Sequence, residues 1–557
     1  MSKPDEKYME DTIEKYLTSQ PIKIPTMWWN DALGESDQEE YGDRKEYISI
    51  SNSQYDINLA MAPSELEEFV RNTQPKQWEL LVKRCGGEEN ARKRLAERVS
   101  KEISQHGTIA VLRNEDIDVG EGVHIRVMYR RPVNDKTPEH LKCYIFNRLS
   151  LMRQVHYSLK DPKLSIDMMI FLNGMPIITF ELKNELTGQT HHNAIKQYMK
   201  DRPVKGELLL EFKRCLVHFA VGSEQVFMTT KLDGNDTYFL PYNKSYANIG
   251  VESDGYRTDY LWKDVLSRDS VIDLVSNYIN LHTLKKKVYN PQSGKLDEKT
   301  STALIFPRWH QRRAVMRLVA DVERRGAGHC YLIQHSAGSG KSHTITWLAF
   351  RLASLYQHFI DDHALFDSVI VVNDRVALDT QMQRNIRQFE QTEGEVCYID
   401  DKCTSHDLKT AIESRHRIIV TTLQKFPVIS DEITKYPGRK FAVIIDEAHS
   451  SQSGSSARQM RKALSLDEAE ESDRAANPEE SDDYDVIGDR IEADLRATGP
   501  HRNVSFFAFT ATPKPKTIEI FCERENGTKE PFDLYSMEDA INEGFILNPM
   551  QAVMSFK

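Results

Sequence analysis

The sequence predicts an α/β protein in which a domain built around one sheet precedes a domain built on a parallel sheet. Three observations carry this. Between about Ile109 and residue 230, short β-rich runs (VHIRVMYRR, CYIFNRL, IDMMIFL, PIITFEL, CLVHFAVG, VFMTT) are separated by turn signals such as Asn173-Gly174 and Asp233-Gly234-Asn235. From Ile305 onward the texture changes. Continuous apolar runs (CYLIQ, SVIVVN, RIIVTT, FAVIID, SFFAFTAT) alternate with helical stretches, the pattern of strands covered on both faces. Finally, 557 residues exceed one domain and suggest about three at ~100–200 residues each.

The elements follow in order. Helical segments are expected at Asp11–Leu17, Pro63–Val70 and Pro75–Cys85, ahead of the first sheet, so that residues 1–283 form one region. Residues 284–303 (LKKKVYNPQSGKLDEKTSTA) are polar, with Pro, Gly and Ser and little periodicity, and read as a linker. The parallel-sheet domain is expected over 304–530 and a further domain begins at 531–557. Within the former, residues 467–485 hold ten acids and one arginine and read as a disordered surface insert.

Bulk composition excludes little. The net charge of −11 is concentrated in that insert, so it argues neither for nor against nucleic acid. No apolar run approaches the ~20 residues of a membrane span, and the polar, acidic N-terminus is no secretory signal. The seven cysteines form no CxxC pair, which indicates neither a zinc knuckle nor a disulfide framework and leaves a reducing cytoplasm as the default.

Two constellations carry chemistry. Residues 335–342 read HSAGSGKS, after the strand CYLIQ and before the helical run HTITWLAFRLAS, which is the setting of a phosphate-binding loop. Gly338 and Gly340 let backbone N–H groups around Ser339 point inward, Lys341 reaches the β and γ phosphates, and Ser342 ligates Mg²⁺. His335 stands where the consensus has glycine. After the strand FAVII come Asp446 and Glu447; a carboxylate ending a buried strand needs a cation, and Mg²⁺–ATP supplies it. Asp446 would hold the metal and Glu447 would act as general base toward water. The second constellation lies upstream. Asp167 opens the strand IDMMIFL, Asn173-Gly174 turns the chain, and PIITFELKN carries Glu181 and Lys183 on one face. Asp167 and Glu181 would bind one or two Mg²⁺ ions, with Lys183 orienting the attacking water.

With these residues in view, two resemblances are plain. Gln311, HSAGSGKS, TTLQKF, Asp446-Glu447-Ala448-His449 and TAT resemble a superfamily 2 helicase core with a RecA-like fold. The resemblance implies that Gln311 reads adenine, that His449 belongs to the nucleotide site, and that Thr421, Thr422, Thr510 and Thr512 contact nucleic acid or relay ATP state. Asp167, Glu181 and Lys183 resemble a PD-(D/E)xK nuclease. The wider segment YIFNRLSLMRQVHYSLKDPKLSIDMMIFLNGMPIITFELKN is similar to the endonuclease domain of the restriction subunit of type I restriction-modification enzymes, in its N-terminal portion. That family often adds a QxxxY pair. Here the spacing departs, and Gln197, Tyr198 and Arg202 are expected to contact DNA or to organise the site. Glu14 is the candidate for a further N-terminal acid.

The resemblance implies Mg²⁺-dependent cleavage of unmodified duplex DNA coupled to ATP-driven translocation, with methylation and specificity subunits as partners and no membrane. A second RecA-like domain with its arginine finger is not seen before Lys557, so the ATP site is expected to be incomplete. Two alternatives stand beside this: another superfamily 2 DNA or RNA helicase with an inactive nuclease-like domain, and a non-catalytic docking module.

Overall fold

The computed structural model describes residues 6–23, 44–134, 136–185, 188–253, 255–290, 295–358, 361–373, 376–390, 394–399, 403–422, 425, 429, 433, 435–447, 503–522, 524–525 and 528–546. The chain divides into two compact units, Met1–Trp309 and His310–Lys557. The acidic segment 467–485 and His449 lie outside the described residues.

The first unit is organised by a seven-stranded mixed sheet whose spatial order follows the chain: β1 (Tyr47–Ser49), β2 (Leu149–His156), β3 (Ser165–Leu172), β4 (Met175–Leu182), β5 (Val217–Val221), β6 (Val226–Thr229) and β7 (Leu240–Pro241). β1 runs parallel to β2, and β4 parallel to β5; the remaining neighbours are antiparallel. Helices α1 (Glu6–Ser19), α2 (Pro63–Thr73), α3 (Pro75–Cys85) and α4 (Glu88–His106) stand ahead of most of the sheet in sequence. Proline at the first turn of α2 and α3 satisfies the one position where its missing N–H costs nothing. The central hairpin β3–β4 turns at Asn173 (φ +51°) and Gly174 (φ +80°), the left-handed pair that a two-residue turn requires. A Cβ on Gly174 would lie 2.4 Å from the Ala62 carbonyl oxygen, so glycine is demanded twice over. Every residue of β4 is buried, which explains a run too apolar to alternate.

Three expectations about elements need correction. CYIFNRL is not a strand. Residues Pro138–Ile145 form a helix begun by Pro138 and burying Leu141, Tyr144 and Ile145 at helical spacing, and β2 starts only at Leu149. VHIRVMYRR pairs over Val123–Ile125 alone, against Ile117–Gly120 in a separate two-stranded sheet. The expected linker 284–303 is a ribbon: β8 (Asn280–Asn290) and β9 (Lys295–Ile305) pair antiparallel through eleven successive residue partners. Backbone pairing, to which polar residues are no obstacle, overrides the linker-like composition.

The second unit is an all-parallel sheet of seven strands: β10 (Cys330–His335), β11 (Ser368–Asn373), β12 (Val396–Tyr398), β13 (Ile418–Thr422), β14 (Phe441–Asp446), β15 (Val504–Thr510) and β16 (Asp533–Tyr535), in the spatial order β12-β13-β11-β14-β15-β10-β16. All residues of β11, β13, β14 and β15 are buried, as strands covered on both faces should be. Among the helices are α6 (Trp309–Arg325, numbered after α5, His191–Lys196, of the first unit) and α7 (Lys341–Ala353). The α/β class and the order of a mixed-sheet unit before a parallel-sheet unit are as the sequence predicts. The sheet runs past the expected boundary at 530, since Asp533–Tyr535 is its edge strand. All seven cysteines are free thiols. Among the described residues no helix is long and apolar enough to cross a membrane.

Candidate active sites

The β3–β4 hairpin brings the first constellation together. The Asp167 Oδ2 accepts the backbone N–H of Leu182 at 2.8 Å, which fixes that carboxylate beside Glu181. Glu181 has no exposed surface. Burial first, and the Asp167 charge second, drive its pKa well above the ordinary value, while Arg202 and Lys183 oppose the shift. Lys183, also buried, follows β4 directly, and its N–H bonds the Val221 carbonyl. Arg202 grips Glu181 with both ends of its fork, Nε to Oε1 at 2.7 Å and Nη2 to Oε2 at 3.3 Å.

Helix α1 brings two acids to this face, the expected Glu14 and also Glu10. Glu14 bonds Arg153 at 2.9 Å and the Ser49 hydroxyl at 2.5 Å. Glu10, one helical turn earlier, is the buried one. Its oxygens take Arg153 and Gln154, each at 2.8 Å, and burial raises its pKa, with the Asp167 charge adding in the same direction. The i, i+4 spacing of Glu10 and Glu14 puts both on one face, and only packing decides which of them meets the sheet.

Of the two expectations for Tyr198, DNA contact or organising the site, its position favours the second. It is fully buried and its hydroxyl bonds Thr179 at 2.8 Å, which in turn bonds His218 Nδ1 at 2.7 Å. Burial lowers the His218 pKa to about 3, so it is neutral there. Tyr198 and Arg202 thus organise the sheet and the carboxylate. Gln197 begins a π-helical turn, Gln197–Asp201, which follows α5.

The donor set suits a hard divalent cation: two carboxylates side by side, one of them stabilised in its charged form only by nearby cations. Among the described residues no group of three or more His, Cys, Asp or Glu side chains is gathered for a metal. The fit therefore rests on the Asp167–Glu181 pair, with Glu10 near enough to feel its charge.

In the second unit most of the remaining residues lie at the carboxyl ends of β10, β13, β14 and β15, the edge where parallel sheets place ligands. Gly338 (φ +73°) and Gly340 (φ +81°) shape the loop between β10 and α7. Lys341 Nζ lies 3.2 Å from Glu447 Oε1 and 3.4 Å from the His335 carbonyl. Glu447 itself sits at φ +53° just past β14, and its N–H bonds Asp446 Oδ1 at 3.0 Å. Ser342, half-buried, begins α7 with Lys341. The buried hydroxyl of Ser336 has no hydrogen-bond partner among the described residues, an orphan that a phosphate oxygen fits. The loop and its neighbours thus suit Mg²⁺–ATP.

Gln311 stands against the phosphate loop. Its amide nitrogen donates to the carbonyls of Ser339 and Gly340, both at 3.1 Å, so its N–H groups serve the loop. Thr421, Thr422 and Thr510 are buried at the ends of β13 and β15, and Thr512 is exposed two residues further on. The hydroxyls of Thr421 and Thr422 have no hydrogen-bond partner among the described residues. The sequence alone does not mark His310 and Asp533 as partners of His335. They stand 25 residues before and 198 after His335 and meet it only through the fold.

Residues 40–237 match the family described as type I restriction enzyme R protein N terminus, and residues 310–470 match the SWI2/SNF2 ATPase family. A type I restriction enzyme endonuclease subunit, SsaAORF53P, of Staphylococcus saprophyticus is 25% identical over 330 residues, 57% of this chain and 30% of that protein. A Methanocaldococcus jannaschii protein, named as a candidate type I restriction enzyme endonuclease subunit (MjaVIIIP), is 25% identical over 323 residues, 54% of this chain and 28% of its own length. The chain therefore spans about three-tenths of the curated relatives it matches. Solved structures with some likeness include the Pyrococcus furiosus Hef helicase domain (16% identity, TM-score 0.23, 38% of this chain and 36% of that one). Another is the Type ISP restriction-modification enzyme LlaBIII bound to DNA (18%, 0.24, 46% and 15%). Neither score reaches 0.5, and the relationship stands on the sequence matches. By its two matched segments, taken in order, this chain is a relative of the type I restriction R proteins, carrying their N-terminal domain ahead of a SWI2/SNF2 ATPase domain.

Proposed function

We propose that the chain is the nuclease and motor portion of a type I restriction subunit, cleaving unmodified duplex DNA in a reaction coupled to ATP-driven translocation. It acts in the cytoplasm with methylation and specificity subunits. The observation that carries this is the pairing of Asp167 with Glu181 beside Lys183, in the same chain as a phosphate loop whose Lys341 faces Glu447.

In the nuclease site Asp167 and Glu181 would hold Mg²⁺, which when bound neutralises the scissile phosphate and acidifies a water. Asp167 is oriented for this by the Leu182 amide, and Arg202 aims the Glu181 carboxyl and favours its ionised form against burial and the Asp167 charge. Lys183 would steady the developing negative charge at the phosphate. In the motor site the loop amides and Lys341 would bind the phosphates, Asp446 and Ser342 the Mg²⁺, and Glu447 would take a proton from the attacking water. For that, Lys341 must exchange its contact with Glu447 for phosphate, which frees the Glu447 carboxylate. Thr421, Thr422, Thr510 and Thr512 would contact DNA or relay nucleotide state.

The test is Mg²⁺-dependent nicking of supercoiled plasmid by the wild-type chain beside Asp167→Ala, with and without ATP. Nicking that disappears in Asp167→Ala is expected. Equal nicking by both proteins would sink the nuclease assignment, and absence of nicking from the chain joined with its partner subunits would favour the helicase with an inactive nuclease-like domain.

A further inference from the structure

The phosphate loop is held from a side that its motif does not foresee. Edge strand β16 pairs with β10 in register (Ile333 opposite Asp533, Gln334 opposite Leu534, His335 opposite Tyr535), and the Ser336 N–H continues the ladder onto the Tyr535 carbonyl at 2.9 Å. The Asp533 carboxylate is wholly buried. It accepts His335 Nε2 at 2.9 Å, Arg313 on both oxygens at 3.0 and 2.8 Å, and Arg317 at 3.0 Å. The His310 ring lies flat on Tyr535, centroids 3.7 Å apart, and its Nε2 meets the Ser339 carbonyl at 3.0 Å. Further along, the Phe545 carbonyl oxygen stands 3.8 Å from where a side chain on Gly338 would begin. Residues 533–545 therefore meet the loop at its first, second and fourth positions, and reach its fifth through His310.

This arrangement bears on the departure at 335. A glycine there leaves the backbone free; His335, with no exposed surface, is pinned by a side-chain bond. An imidazole that stays neutral under burial must carry its proton on the nitrogen facing the carboxylate. A buried carboxylate is stable only when its bonds are all made, so the cluster defines one geometry and penalises others.

We propose that Asp533 is the positioning residue of the nucleotide loop: acting through His335, it sets the loop backbone for a nucleoside triphosphate, and Asp533–Phe545 forms a further wall of that site. The inference rests on the reading that residues 335–342 bind ATP.

The experiment measures binding of a fluorescent ATP analogue, mant-ATP, with thermal melting alongside, for the full chain and its variants Lys341→Ala, Asp533→Asn, His335→Gly and the double variant Asp533→Asn/His335→Gly. Loss of a charge-assisted bond predicts that Asp533→Asn binds about tenfold more weakly while still melting cooperatively. His335→Gly is expected to weaken binding similarly, and the double variant to be no weaker than either single one. Should Asp533→Asn fail to fold, Arg313→Gln, at the half-exposed end of the cluster, takes its place with the same expected loss. Binding within twofold of wild type in whichever variant folds overturns the proposal, provided Lys341→Ala abolishes binding. Additive losses in the double variant overturn the route through His335. Wild-type binding indifferent to Lys341→Ala overturns the ATP reading itself.

Discussion

Glu181 has no exposed surface, two cationic neighbours and a negative one, so its ionised form depends on what is beside it. Removing Arg202 leaves Lys183 alone to offset that charge, a loss of up to ~3–5 kcal/mol for a buried pair. Arg202→Met is expected to melt well below wild type and to recover part of the difference in millimolar Mg²⁺, which should stabilise wild type less. Thermal unfolding with and without Mg²⁺ checks this, and a variant indifferent to the cation would speak against a metal on Glu181. Asp533 makes a complementary case. Bonds from His335 and Arg313 outweigh its burial and hold its pKa below the ordinary 3.8. A depressed carboxyl pKa contributes stability above the unfolded value and loses it as pH falls through the folded one. The gap in stability between wild type and Asp533→Asn should therefore be constant near neutrality and shrink only below about pH 4, as urea titrations over pH 3–7 would show. Residues of this kind divide sharply in legibility. Asp167, Glu181 and Lys183 announce themselves because their spacing fits a hairpin. Glu10 and Asp533 do not, because what selects them is burial against residues 157 and 198 positions away.

At the scale of elements, the β3–β4 turn is where sequence and structure agree for a reason that can be tested. Asn173-Gly174 forces the left-handed pair, and the Ala62 carbonyl leaves no room for a side chain. Gly174→Ala is expected to destabilise the chain by about 2–4 kcal/mol in chemical denaturation, more than the ~1 kcal/mol of backbone entropy alone. A change below 1 kcal/mol would mean that the hairpin yields locally. The parallel strands of the second unit were legible because burial on both faces leaves an unbroken apolar signature. CYIFNRL misled for the converse reason: tyrosine, isoleucine and phenylalanine favour strands, yet Pro138 starts a helix and the spacing of Leu141, Tyr144 and Ile145 completes it. The ribbon β8–β9 was hidden by its polar composition, since backbone pairing leaves no mark on hydropathy.

For the whole molecule, the two constellations belong to different compact units. Asp167→Ala should leave mant-ATP affinity unchanged, and Lys341→Ala should leave the Mg²⁺ dependence of melting in Arg202→Met unchanged. Isothermal titration and melting report the two separately, and cross-effects beyond twofold would show that the sites are energetically coupled. The outer strands of the two large sheets have a consequence of another kind. β1, β12 and β16 are three residues long and β7 is two, so a second chain meets only a short ledge of open backbone on which to add a strand. The ribbon is the opposite: eleven residues per strand, with no third strand beside it among the described residues. In concentrated solution, self-association by strand addition should begin along that ribbon, and shortening it is the change that would keep the protein dispersed.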